Sequence, residues 1–343
     1  MRERKYSNFI TQNCAPLESV KIGVYNDNGF RVSAFDVGTL ATPNAKGEKL
    51  YSFGALADVH LRYETAQDDF RKALQFLNAD ADVDFICIAG DLTKNGKDAE
   101  LAEYKSYVDM YAADTPVYAV TGNHDAFTHE TEIGSVIAQY TGHPLYYSFE
   151  RGDDVFIMVG LNNHYNEQLF STEELQWLYE TLEANRNKRC FIFEHVRPQD
   201  TCGNAYGIYD FDIWGGNEQK VFESMLRHYK NAIMFHGHSH LKYDLQTKTN
   251  KANIDKETFG TWQVHVSSLA VPRTGDPAGA SSRAEVYADS EGYVVDVYEN
   301  GILLRGRDFV AEKFLPIATY WLDTTLQTVE AGTYTDSTGT IVT

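Results

Sequence analysis

Positive charge is in short supply: Lys and Arg number 30 against 49 Asp and Glu, a formal net charge of −19. That balance argues against a chain that grips duplex nucleic acid or an anionic membrane surface by non-specific attraction. A small phosphorylated substrate stays open, because a bound cation reverses the local field. Cysteine is sparse too. Cys14, Cys87, Cys190 and Cys202 form no Cys-x-x-Cys pair, so zinc-ribbon and dithiol chemistry have no support. Cys87 and Cys190 lie in the apolar runs Phe85-Ile86-Cys87-Ile88 and Cys190-Phe191-Ile192-Phe193 and are expected as buried small hydrophobes. No run approaches the ~18 apolar residues of a membrane span. The start, Met1-Arg2-Glu3-Arg4-Lys5-Tyr6, has no apolar stretch behind its charges, so no secretory signal is read there. The expectation is a cytoplasmic protein with no membrane partner. Internal repeats and low-complexity tracts are absent.

What is there suits a folded globule: 343 residues, 43% hydrophobic and 23% charged, enough for one large domain or two modest ones. Residues 1–50 read as a small β appendage and linker, with a hairpin of Val20–Tyr25 and Phe30–Ala34 around Asn26-Asp27-Asn28-Gly29. From Tyr51 strands alternate with helices. Helical periodicity runs over Ala66–Leu77, Lys97–Tyr111, Glu130–Tyr140 and Glu218–His228. Ser171-Thr172-Glu173-Glu174 is a capping box ahead of Leu175, Leu178 and Leu182. After Thr261 consecutive strands follow, to about residue 310. Residues 311–343, with no clear period, read as a C-terminal β extension. Alternation followed by strands predicts mixed sheets with helices outside.

The informative pattern is where the histidines and aspartates fall. Asp58-Val59-His60, Gly90-Asp91, Gly122-Asn123-His124-Asp125, His195 and His236-Gly237-His238-Ser239-His240 each terminate an apolar run. Sites in open α/β sheets lie beyond the carboxyl ends of strands, which puts these groups on one rim. Residues two apart in extended chain share a side, so Asp58 and His60, or His238 and His240, can act together. Imidazole, carboxylate and amide oxygen suit a divalent first-row metal. Seven candidates, Asp58, His60, Asp91, Asn123, His195, His238 and His240, are too many for one ion. They suffice for two if one carboxylate bridges, the arrangement that clamps both oxygens of an in-line phosphoryl displacement.

In this ordered set the sequence resembles the calcineurin-like metallophosphoesterase superfamily over roughly residues 51–270. The resemblance implies an α/β (α+β) fold, a four-layer αββα sandwich of two mixed sheets flanked by helices, here with small β-rich terminal extensions. The metallophosphoesterase domain is accordingly expected over 51–310. It implies two divalent transition-metal ions, with Mn, Fe or Zn the leading candidates. Asp58, His60, Asp91 and His240 would hold the first, and Asp91, Asn123, His195 and His238 the second. His124 would be the acid for the leaving oxygen, with Asp125 orienting its ring. The implied activity is hydrolysis of small phosphodiesters or phosphomonoesters by a water activated between the two metals.

Some branches of that superfamily fit less well. Purple acid phosphatases carry a tyrosine ligand three residues after the Gly-Asp aspartate, where this chain has Lys94. Protein Ser/Thr phosphatases have Arg-Gly-Asn-His-Glu, against Thr121-Gly122-Asn123-His124-Asp125 here, and lack the terminal Gly-His-x-His. Gly90–Gly96 and His195-Val196-Arg197-Pro198 resemble the bacterial branch that includes cyclic-nucleotide phosphodiesterases. Asn162-Asn163-His164-Tyr165 reads as a capped loop or a substrate contact. The loop Asp200–Gly216, with Tyr206, Tyr209 and Trp214, reads as a lid or a plain surface loop. His129, His143, His228 and His265 are expected to be structural, and His236 to support the site. The alternatives to a small-molecule hydrolase are a nuclease of the same superfamily and a phosphoesterase-fold component docked on a larger assembly.

Overall fold

The computed structural model describes residues 45–325 apart from 82, 130–131, 164–168, 199–200, 204–216, 245–252, 275–283 and 286–287, together with four short strand segments outside that span. In chain order the strands run β1 (Lys21–Tyr25), β2 (Arg31–Asp36), β3 (Tyr51–Leu56), β4 (Phe85–Ala89), β5 (Val117–Val120), β6 (Tyr146–Arg151), β7 (Asp154–Val159), β8 (Cys190–Phe193), β9 (Ala232–His236), β10 (Ile254–Asp255) and β11 (Trp262–His265). The short pair β12 (Arg273–Thr274) and β13 (Ala284–Glu285) follows, then β14 (Glu291–Tyr298), β15 (Gly301–Asp308) and β16 (Lys313–Asp323). The helices are α1 (Ala66–Gln75), α2 (Asp98–Tyr111), α3 (Ile133–Thr141), α4 (Thr172–Ala184) and α5 (Asn217–His228).

Two mixed sheets result. The larger has the order β2-β1-β16-β15-β14-β3-β4-β5, and the smaller β10-β11-β9-β8-β7-β6. The strands that end in the motifs are parallel to their neighbours: β3 with β4, β4 with β5, β8 with β9. Their carboxyl ends therefore open onto one rim, as the motif positions require.

Strand alternation explains why these runs are apolar throughout. Phe53, Phe85 and Cys87 point inward from the larger sheet, and Phe156, Phe191, Phe193 and Phe235 meet them from the smaller one. Their neighbours Leu56, Ile86 and Ile88 turn outward under α1, α2 and α3. Cys190 and Ile192 do the same under α4 and α5. A strand covered on both faces has no polar side to show. The sandwich is thus helices, sheet, sheet, helices. Phe53 sits at its centre, edge-on to Phe156 at 5.3 Å and to Phe191 at 5.5 Å between ring centroids. At one end the sheets are tied by polar groups. Arg189 grips Asp154 through Nε at 3.0 Å and Nη2 at 2.6 Å, and donates to the Tyr298 carbonyl at 2.8 Å, while the Tyr51 hydroxyl donates to Asp154.

Three local departures have physical causes. The capping box is half formed: Ser171 Oγ accepts from Glu174 N at 3.1 Å, but the Glu174 carboxylate turns inward to Asn162 Nδ2 at 2.6 Å. The helix α1 widens into a π-helical turn over Phe76–Asp80, which keeps Phe76 and Leu77 in the core. The strand β16 escapes the sequence pattern. Its pairing with β15 jumps from Gly306↔Leu315 to Arg305↔Thr319, so Pro316 lies in a bulge that breaks the alternation. The hairpin expected near residues 20–34 forms as β1 and β2, and β1 joins β16 in parallel at Gly23↔Tyr320. The boundary expected between residues 310 and 311 falls inside the β15–β16 hairpin of the larger sheet. Cys87, Cys190 and Cys202 are buried free thiols; Cys14 lies outside the described residues.

Candidate metal centre

The rim brings six of the seven candidates into two overlapping groups. Asp58, His60, Asp91 and His240 place one ligand atom each within 4.8 Å of one another, and Asp91, His195 and His238 do the same. Asp91 belongs to both. His240 Nε2 lies 3.0 Å from Asp58 Oδ1, and His60 Nε2 lies 3.3 Å from Asp91 Oδ2. His195 Nε2 is 3.2 Å from the same Asp91 oxygen and 3.0 Å from His238 Nδ1. His60 Nε2 and His240 Nε2 face each other at 2.9 Å. Asn123, the seventh, precedes His124 in the chain and is buried, and its Oδ1 has no hydrogen-bond partner.

Each aspartate divides its labour. Asp58 Oδ2 accepts the His238 N–H at 2.9 Å and Asp91 Oδ1 accepts the His124 N–H at 2.8 Å. The other oxygens, Asp58 Oδ1 and Asp91 Oδ2, are buried without a hydrogen-bond partner and face the imidazoles. A buried carboxylate oxygen left so is costly unless a cation completes it. Ligands held ~2.0–2.2 Å from a transition metal lie roughly 3.0–3.5 Å apart when adjacent, which is the spacing found here. The residues present therefore fit a pair of divalent ions.

The main chain is shaped to this end. Asp58, His60, Asp91, His238 and His240 all have positive φ, between 44° and 73°. Such strain in non-glycine residues gathers at functional sites. At Gly122 an added Cβ would stand 2.2 Å from Asp91 Oδ1 and 2.4 Å from Asp91 N, so only glycine lets the two loops touch. Backbone carbonyls set the rings: His195 Nδ1 donates to Ala89 O at 2.8 Å and His240 Nδ1 to Val271 O at 3.1 Å, leaving each Nε2 for the cluster.

Ionisation agrees with this use. Burial holds His60 down at about 4 and depresses His238 and His240, so all three are neutral imidazoles with a lone pair to give. For Asp91 burial pushes the other way, yet His195, His124 and His60 hold it well below the carboxylate range. His195 is the exception: against burial, Asp91 and Asp58 raise it to about 10. A cation seated at Asp91 would displace that proton.

His124 lies at the mouth, half-buried, its ring edge-on to His60 at 4.6 Å. Here the sequence expectation needs correction. The His124 ring is oriented by Lys94, whose carbonyl accepts from Nδ1 at 2.7 Å, and not by Asp125. The Asp125 carboxylate is fully buried and spends its oxygens elsewhere. Oδ2 accepts from Leu92 N at 3.0 Å and Gly122 N at 2.9 Å; Oδ1 accepts from Thr93 N and Thr93 Oγ1, each at 2.9 Å. Asp125 thus clamps the loop that carries Asp91 to the loop that carries Asn123.

Other expectations resolve as follows. Asn162 is engaged with Glu174 and the Leu169 carbonyl, as a capped loop; His164 and Tyr165 lie outside the described residues. So do Tyr206, Tyr209 and Trp214 of the supposed lid. Arg197, two residues after His195, is buried. His236 Nε2 meets Cys202 Sγ at 3.4 Å behind the centre, and His265 Nε2 donates to the Leu241 carbonyl at 2.9 Å. His129 pairs with Asp98 at 3.1 Å, and His143 stacks on Tyr147 at 4.6 Å. Sequence reasoning missed Ser268, whose Oγ donates to the Asp58 carbonyl at 3.2 Å and accepts from Val271 N at 2.9 Å. It also missed the orienting carbonyls of Ala89, Lys94 and Val271, because a carbonyl leaves no mark on residue type.

The model of one protein family, described as calcineurin-like phosphoesterase, matches residues 51–242. No curated protein matches the chain. Among solved structures, purple acid phosphatase PPD1 from yellow lupin (Lupinus luteus) seeds has a TM-score of 0.52 at 15% identity, covering 80% of this chain and 53% of that chain. The chain thus spans about half the length of that phosphatase. GAP50, the anchor in the inner membrane complex of Plasmodium, has a TM-score of 0.49 at 13% identity, covering 83% of this chain and 91% of that chain. At such identities the lupin structure speaks for the fold alone. No described helix is long and apolar enough to cross a membrane.

Proposed function

The chain belongs to the calcineurin-like phosphoesterase family, and from that premise we propose that it is a binuclear metal-dependent hydrolase of small-molecule phosphodiesters or phosphomonoesters. The observation that carries the reading is the pair of buried oxygens, Asp58 Oδ1 and Asp91 Oδ2, turned without hydrogen bonds toward converging imidazoles. Asp58, His60, Asp91 and His240 are assigned to one ion. Asp91, Asn123, His195 and His238 are assigned to the other. When bound, two divalent ions supply Lewis-acid polarisation of the phosphoryl oxygens and acidify a water to neutral pH.

The protein's own residues do the rest. Asp91 bridges the two groups and fixes their separation. Because the Lys94 carbonyl only accepts, Nδ1 of His124 keeps its hydrogen, and Nε2 is the nitrogen that holds or gives a proton. That suits His124 as the acid for the departing oxygen. Asp125 is assigned to positioning the Asp91 loop. The mouth is partly exposed at His124 and Phe127, so a soluble ester can reach it.

The test joins metal analysis to an ester panel of cyclic nucleotides, glycerophosphodiesters, nucleotides and aryl monoesters. The expected result is two ions per chain and turnover that a chelator abolishes and added metal restores. In Asp91→Asn both bound metal and turnover should fall. A chain that carries two ions and hydrolyses no member of the panel would refute the assignment.

A further inference from the structure

We propose that Lys94 is a specificity-determining residue, its ammonium taking an anionic group carried on the leaving side of the substrate. The inference rests on the phosphoesterase reading and narrows its substrate class to esters whose leaving group bears a second negative charge.

Lys94 stands three residues after Asp91, and its carbonyl holds the ring of His124. It therefore shares a loop with the bridging carboxylate and abuts the group assigned to protonate the leaving oxygen. Its half-buried side chain lies over the ring of Tyr63, with Nζ 4.6 Å from the centroid. Tyr63 in turn meets His60 edge-on at 5.0 Å. Two short steps thus lead from the ammonium to an assigned ligand. The exposed ring of Phe127 stands edge-on to His124 at 4.9 Å and offers an apolar wall.

Pairing and burial together distinguish Lys94 from its basic neighbours, since Lys97, also without an ion pair among the described residues, is exposed. Arg62 is paired with Glu103 at 2.7 Å and His129 with Asp98 at 3.1 Å. Among the described residues no carboxylate is paired with Lys94, in a chain with 49 acidic residues to offer. An unneutralised ammonium beside a seat for two dications is repelled by them until an anion enters. The phosphoryl group under attack already belongs to those ions. The charge left for Lys94 is one on the leaving group, on the His124 side. The Tyr63 face holds the ammonium in place by cation–π attraction without cancelling its charge.

The experiment compares phenyl phosphate with 4-carboxyphenyl phosphate, each as the monoester and as its methyl diester, on metal-loaded wild type, Lys94→Met and Lys94→Arg. The readout is the ratio of kcat/KM for the 4-carboxyphenyl over the phenyl ester; a loss through His124 is smaller for the more acidic 4-carboxyphenol and would raise this ratio, so it cannot mimic the expected fall. Lys94→Met should lower that ratio about tenfold, and Lys94→Arg should keep most of it. Calorimetric binding of phenylphosphonate and 4-carboxyphenylphosphonate to the same three proteins should show the same preference and the same loss. An unchanged ratio in Lys94→Met overturns the assignment. If no ester is hydrolysed but the phosphonate preference exists and Lys94→Met removes it, the phosphoesterase reading fails and Lys94 stands as an anion-recognition residue. If the esters are hydrolysed and wild type shows no greater preference than Lys94→Met, the reading stands and the Lys94 inference fails.

Discussion

Replacing Asp125 with asparagine separates two roles that a motif cannot tell apart. The carboxylate satisfies three buried backbone N–H groups and one hydroxyl. An amide nitrogen in place of Oδ2 would face the Leu92 and Gly122 N–H groups and orphan both. In place of Oδ1 it orphans only the Thr93 N–H, and the Thr93 hydroxyl can turn to accept. The second arrangement costs less, but it still strands one backbone donor and trades an ionised acceptor for a neutral one. Burial, then the Asp91 charge, push Asp125 up to about 6, so the acid is ionised at pH 8 and the exchange removes a charge there. The expected loss is about 2–4 kcal/mol, a melting shift of roughly 3–6 °C for a chain of this length. Because Leu92 and Thr93 follow Asp91 directly, metal affinity should fall with it. At saturating metal, kcat should stay within about threefold of wild type, since His124 keeps its Lys94 carbonyl. Calorimetry, metal titration and kcat at pH 8 check the three parts. Unchanged melting and metal affinity with kcat down by about a hundredfold or more would refute the clamp and restore Asp125 as a partner of His124.

Further outcomes follow from the same contacts. His124→Ala should leave bound metal intact and lower kcat by about 10²–10⁴-fold, least for esters with good leaving groups such as 4-nitrophenol; equal loss across leaving groups would count against an acid role. Gly122→Ala forces a Cβ to within 2.4 Å of the Asp91 nitrogen, so metal content and turnover should both collapse, whereas an active, metal-replete variant would show that the loops can part cheaply. Glu174 is fully buried and pushed by burial up to about 8. The folded state therefore keeps a proton that the unfolded chain gives up near 4.5, and stability is lost as pH rises from that value toward 8. Glu174→Gln should melt increasingly above wild type across that interval, and a pH-independent difference would sink the idea. Arg189→Ala strands the buried Asp154 carboxylate between the sheets and should cost about 3–5 kcal/mol, read by denaturant unfolding.

The residue types and spacings of the centre were readable because each motif is local. A strand tip is a few residues long, and Asp-x-His or Gly-His-x-His projects its side chains within that length. The apolar runs behind the tips were readable for a similar reason, since a strand buried on both faces excludes polar residues whatever it packs against. Hence the mixed sheets, the helices outside them and the seven candidate side chains are read from the chain in order; the two-sheet sandwich is implied by the family resemblance, and the fold gathers six of the seven into the two groups. The remainder depends on partners far apart in sequence. Ala89 and His195 are separated by 106 residues, and Asp58 and His238 by 180. Neither contact leaves a local trace. Asp125 follows His124 in the chain, and adjacency suggested a partnership. The folded loops instead offer its carboxylate four donors, and four donors outweigh one neighbouring ring. Residues 311–343 read as a β extension, but the bounds of β16 were not legible because its bulge at Pro316 breaks the alternation that marks a strand. Ligand chemistry is thus written along the chain, whereas the direction of each ring nitrogen and the duty of each carboxylate are settled by hydrogen bonds that exist only once distant segments meet.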